Sequence, residues 1–155
     1  MLKPTFIFLL LAYASLFYLP IPTYAADAKN PWEALNEAQS LKCIFGPGIT
    51  TEWKAGEPKP EDTRIDVEVY LNDIDLQAGK ARLVGSEGTA DVSTEVSPMT
   101  VNFVGMSGMW NMSMITVYPY YLKGTENFPA VWSRHLYLKD GPLASQFYGS
   151  CRVSE

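Results

Sequence analysis

The stretch Ile65-Asp66-Val67-Glu68-Val69-Tyr70-Leu71-Asn72 sets the fold class. Ile65, Val67, Val69 and Leu71 fall on one face of an extended chain, and Asp66, Glu68 and Asn72 fall on the other. One buried face and one wet face describe a strand of an antiparallel sheet. The same chemistry continues on both sides. Short runs rich in Val, Ile, Tyr, Phe and Thr alternate with Gly, Pro, Asn and Asp. Strands are predicted from Leu41–Phe45 on toward Trp53, and at Lys80–Gly85, Ala90–Val96, Met99–Val104, Trp110–Tyr118, Ala130–Leu138 and Phe147–Val153. With Ile65–Asn72 that makes about eight. Gly85-Ser86-Glu87-Gly88, Gly105-Met106-Ser107-Gly108 and Lys139-Asp140-Gly141-Pro142 read as tight connections. The Pro- and charge-rich segment Lys54–Arg64 reads as the longest exposed loop.

Eight short strands with hairpin-length links predict an all-β, up-and-down meander that closes into a barrel. Closure removes both sheet edges. A two-sheet sandwich is the alternative. In a closed meander of this size, the start of the first strand lies beside the end of the last. Cys43 and Cys151, the two cysteines of the chain, occupy those places and are predicted to form a disulfide. In shape only, the plan is similar to the lipocalin and avidin group. A lipocalin would carry Gly-x-Trp at the head of the first strand, near an Arg on the last. Trp53 and Arg152 are expected at opposite ends, so membership does not follow.

Upstream of the sheet, Asn30 suits an N-cap, Pro31 the first helical position and Glu33 the return arm of a capping box. A short helix over Pro31–Gln39 is predicted, packing Trp32 and Leu35. Further upstream, Lys3 is followed by the apolar run Phe6–Tyr18, then Pro20 and Pro22, then Thr23-Tyr24-Ala25. A charged start, a short apolar core and a small-residue site form a secretory leader, with cleavage expected after Ala25. The run falls short of the ~20 residues that a spanning helix needs. The expected organisation is a leader over 1–25, an N-terminal segment over 26–40 and one β domain over 41–155. Such a chain is extracytoplasmic, periplasmic or secreted, where two cysteines usually pair.

The chain holds 12 basic and 17 acidic residues, a net charge of −5. Losing Lys3 with the leader makes this −6. That balance repels phosphate backbones and argues against nucleic acid as partner. It suits a basic protein, for which Lys54–Arg64 would be the contact.

Four of the six methionines and one of the four tryptophans lie within Met106–Met114. On a strand, Trp110, Met112 and Met114 share a face with Thr116 and Tyr118. Met fills gaps in cores. It also lines cavities for apolar guests, and thioethers select Cu(I). Met106, Met109, Met112 and Met114 are the candidate ligands for that ion. The sole histidine lies in Val131-Trp132-Ser133-Arg134-His135-Leu136-Tyr137. Ser133 and His135 stand side by side on one face, ~7 Å apart, too far for a nucleophile and its base. Arg134 shares the other face with Trp132, Leu136 and Leu138. A cation there needs a carboxylate, an aromatic ring or an anionic ligand group, unless it reaches water at the strand end.

Asn111-Met112-Ser113 matches a glycosylation acceptor. Glu87, Asp91 and Glu95 read as a solvated face. No phosphate-cradling loop and no His/acid metal spacing is present, so neither an enzyme nor a cofactor is expected. The favoured expectation is a barrel that binds a small apolar or amphipathic molecule through Trp110, Met112, Met114, Trp132 and Arg134. A protein-interaction or inhibitor module and a Cu(I)-binding protein are the alternatives.

Overall fold

The computed structural model describes residues 29–86, 88–107 and 111–154. The expected leader, Glu87, Met109 and Trp110 lie outside them. The described residues form one helix, α1 (Pro31–Asn36), and eight strands: β1 (Leu41–Lys54), β2 (Glu57–Asp75), β3 (Lys80–Gly85), β4 (Gly88–Ser97), β5 (Thr100–Ser107), β6 (Asn111–Val117), β7 (Phe128–Leu138) and β8 (Gly141–Val153). Every strand pairs antiparallel with its sequence neighbours, and β8 returns to β1, so the sheet is a closed meander barrel rather than a sandwich. None of the described helices is long and apolar enough to cross a membrane.

The closing seam pairs Cys43 with Cys151 in register, and the two sulfurs are bonded across a sequence separation of 108 residues. A cross-link closing so long a loop removes about 4–5 kcal/mol of chain entropy from the unfolded state on the loop-closure model. Close approach tightens the same seam. A Cβ placed on Gly149 would lie 2.0 Å from the Ile44 carbonyl oxygen, and one on Gly48 would lie 2.3 Å from that of Gln146. Between Phe45 and Gly48 the register shifts by a bulge, which increases local twist as barrel closure requires.

On the outer face beside the seam, the Lys42 ammonium lies 2.7 Å from the Glu68 carboxylate. The Tyr70 hydroxyl donates to Glu68 at 2.6 Å. These two partners, Lys42 first, hold Glu68 below the usual carboxylate range, and the same contact with Glu68 raises Lys42.

Alternation gives the inward set. Leu41, Cys43, Phe45, Val69, Leu71, Val101, Phe103, Ile115, Val117, Phe128, Phe147 and Cys151 are buried. They fill the end of the barrel where β1 begins and β8 ends. The helix caps that end through buried Ala34 and Leu35, with Ala38 just beyond it. Asn30 accepts the Trp32 amide at 3.0 Å, as its N-cap role requires. The helix stops at Asn36, three residues short of the expected Gln39. Beyond it, the backbone is claimed by the barrel: Ile74 N–H donates to Gln39 C=O at 3.1 Å, and Ser154 N–H to Ser40 C=O at 3.0 Å.

The segment Lys54–Arg64 is not a loop. It is the outer half of a long β1–β2 hairpin, paired from Lys54↔Glu57 to Pro47↔Arg64, and its base is extended by β8 as far as Glu52↔Leu143. Its turn is the two residues Ala55 and Gly56, both at positive φ. Pairing of the first part of β2 with β1, itself backed by β8 as far as Glu52, supplies the partner that the local sequence does not announce. β2 meets β3 only from Tyr70 to Asp75. The rest of that edge carries Pro58, Pro60 and alternating charges, which discourage pairing with another chain.

The seam generates a test. Gly149→Ala must push the β1 backbone away, so its stability loss is expected near 3 kcal/mol, at the upper end for overpacking. Urea unfolding with an unchanged slope measures it; a midpoint within error of the parent would show that the seam has room.

Candidate functional site

Among the described residues, the opposite end of the barrel is open. Its inward positions carry small side chains: Gly85 at the end of β3, Gly88 and Ala90 on β4, Gly105 on β5 and Ser113 on β6. Leu83 pairs with Ala90, and Gly105 with Ser113. Short side chains at facing positions cannot fill the interior, and a cavity of about 320 Å³ results. That is the lower end of the range for small-molecule sites. Val67 and Val69 wall it on one side and Trp132, Arg134 and Leu136 on the other.

Trp132 is the floor. Its ring packs against Phe45 at 5.4 Å and Phe147 at 6.3 Å between centroids. Its indole N–H donates to Ser113 Oγ at 2.6 Å, which satisfies the one polar atom of a nearly buried side chain. The Arg134 guanidinium carbon lies 5.1 Å from the centroid of the same ring, within cation–π range. Arg134 is half-buried, and no carboxylate among the described residues lies within ion-pair distance of it. The cavity is thus an apolar recess with a fixed ring at its base and a cation on its wall.

The sequence-predicted site residues separate. Trp132 and Arg134 both line the cavity. Met114 does not. It alternates with buried Ile115 and with Ser113, the indole's acceptor, so it stands on the outer face of β6. Met112 shares that outer face and, like Met106, borders the cavity opening. Trp110 lies outside the described residues. Both faces of β6 carry apolar side chains, so alternation alone does not say which turns inward; pairing of Ile115 with Phe103 and Trp132 does. Val67, Gly85, Ala90, Gly105 and Ser113 were missed. Val67 was signalled by the Ile65–Leu71 alternation, and the other four as small residues at alternate positions along their strands.

Ser133 and His135 project outward, and Ser133 Oγ accepts from the Gln146 amide at 3.4 Å rather than facing a base. The Asn111 carboxamide accepts the Tyr137 backbone N–H at 3.1 Å and tethers the end of β7. On the β1–β2 arm, Lys54 pairs with Glu52 and Glu61, Lys59 with Glu57, and Arg64 with Asp66. The arm therefore presents both signs of charge rather than an acidic patch. A wider, open trough of about 1110 Å³ runs between α1 and the β6–β7 connection at the closed end. Lys29, Glu37, Glu126 and Arg152 rim it, which suits water more than an apolar guest. Among the described residues, no group of three His, Cys, Asp or Glu side chains converges as a metal site.

Ser113→Ala leaves the indole N–H facing the cavity without its acceptor. A loss of about 1–2 kcal/mol is expected, accompanied by a shift of Trp emission; unchanged stability and emission would mean that the bond contributes nothing. No family model matches the chain, and no curated protein matches it.

Proposed function

We propose that this chain is an exported binding protein whose barrel mouth holds one small amphipathic molecule, with its apolar body between Val67, Leu83 and Trp132 and its anionic group on Arg134. The observation that carries the reading is Arg134. The Trp132 ring supports the guanidinium through a cation–π contact, while no carboxylate among the described residues pairs with it, so an anionic group entering the apolar recess would find an uncommitted, partly desolvated cation there. A carboxylate or similar group satisfies it with charge-assisted hydrogen bonds. The small residues around the mouth leave space for the guest, and the filled lower half makes the floor rigid.

Export rests on the leader-like residues 1–25 and on the disulfide, which an oxidising compartment maintains. Material recovered from outside the cytoplasm is expected to begin at Ala26 on N-terminal sequencing; a chain retaining Met1 there would refute the cleavage.

Octanoate and octanol form the discriminating pair of probes, read by Trp fluorescence. Octanoate is expected to bind at least about tenfold more tightly, since a charge-assisted bond contributes roughly 1.5–3 kcal/mol. Arg134→Gln should abolish the preference. Ala90→Leu, which fills the space, should weaken both. Equal affinity of the two probes for the parent, or binding unaffected by Ala90→Leu in a folded variant, would overturn the reading.

A further inference from the structure

The outer face of the same sheet carries an arrangement apart from the cavity's floor and its cation. Strand register places Met106 of β5 directly opposite Met112 of β6, and Met112 directly opposite His135 of β7. The three form one row across three strands, with Met112 in the middle. Met114 follows two residues along the same face, opposite Ser133. Met106 is 73% exposed; His135 is exposed, and Met112 and Met114 are half-buried. The chain has a single histidine, and the sheet sets it beside the methionine cluster, although 23 positions separate it from Met112 in sequence.

We propose that Met106, Met112 and His135, with Met114 adjacent, form a binding site for Cu(I). Directly opposed residues have Cβ atoms about 4.5–5.5 Å apart. A barrel's convex outer face spreads neighbouring side chains, and Met, unbranched with three rotatable bonds, is suited to span the gap. Thioether sulfur selects the soft monovalent ion, and imidazole is compatible with it. The surroundings discriminate against harder cations. Among the described residues, Val104, Ser133, Tyr137 and Ala144 flank the row on β5, β7 and β8, and none of them is a carboxylate; the one acid near the row is exposed Asp91 of β4, which the register sets beside Met106 at its edge and away from Met112 and His135. Met109, one of the four ligands expected from spacing alone, lies outside the described residues, and His135 supplies the nitrogen donor that spacing did not find. The row lies on the opposite side of the sheet from Arg134 and meets the cavity only at its opening, which Met106 and Met112 border, so His135, which does not line the cavity, is the ligand that tests the site separately from it.

The test is anaerobic titration of the mature protein with Cu(I) in ascorbate, against a chromophoric Cu(I) chelator. Ascorbate is preferred to thiol reductants, and a free-sulfhydryl assay confirms that Cys43–Cys151 stays closed, because released thiols would bind the ion themselves. One Cu(I) per chain is expected, with sulfur and nitrogen neighbours in X-ray absorption. Met112→Leu and His135→Ala should each weaken binding by more than the roughly tenfold that loss of an outer partner costs a metal site. Met99→Leu, an equally exposed methionine at the β4–β5 turn, should change nothing. Unfolding midpoints matching the parent show that these surface variants fold. Absence of stoichiometric uptake, parental affinity in a Met106→Leu, Met112→Leu double variant, or equal displacement by Zn(II) would overturn the proposal.

Discussion

The pairing of β1 with β8 is the constraint on which the rest of this molecule depends. Seven of the eight strand pairings join neighbours in sequence, and each needs only a short turn. The eighth brings together segments more than a hundred residues apart. Its entropic cost is the largest single obstacle to forming the ring. Three features of the seam meet that cost: the bonded sulfurs of Cys43 and Cys151, the bulge near Phe45 and the bare α-carbons of Gly48 and Gly149. The first shrinks the unfolded ensemble. The other two let the backbones approach and twist as a closed sheet demands.

Closure also explains why the two ends of the barrel differ. At the end where the chain enters and leaves, α1 and large inward side chains complete a dry core. Phe45, Phe103 and Phe128 are fully buried there. At the other end the inward positions shrink to Gly, Ala and Ser, and the strands outrun one another. β1, β2, β7 and β8 continue past the ring as an arm, while β3 to β6 stop at hairpins. The cavity lies under that step. Trp132 marks the boundary, with one side of its ring against Phe45 and Phe147 and the remainder facing the recess.

The two faces of β6 and β7 then hold different chemistries. Inward are Ser113, Trp132 and Arg134, a shaped recess with one cation. Outward are Met112, Met114 and His135, soft donors on neighbouring strands. Because side chains alternate, each strand supplies both, and the two sets meet only at the cavity opening, where Met112 borders it. A one-residue slip of β6 would exchange the two sets, so the register fixed by buried Ile115 and Val117 governs both sites at once.

Much of this was written in the sequence. Ile65–Leu71 alternates cleanly because Asp66 and Glu68 cannot be buried, which fixed the strand class and its inward face. The cysteines fixed the seam, since two thiols at the head and tail of a meander have only each other. Trp132 and Arg134 could be placed on one face by simple alternation. Tertiary structure decided what local pattern leaves without a sign. Asn111–Val117 carries both apolar and polar side chains on each face, so only its neighbours Phe103 and Trp132 determine that Ile115 turns inward and the methionines outward. The prolines and charges of Lys54–Arg64 look like a loop, and only the template formed by β1 and β8 makes them an arm. The cavity and the Met–His row both arise from residues distant in sequence that the closed sheet sets side by side, and distance along the chain carries no information about such neighbours.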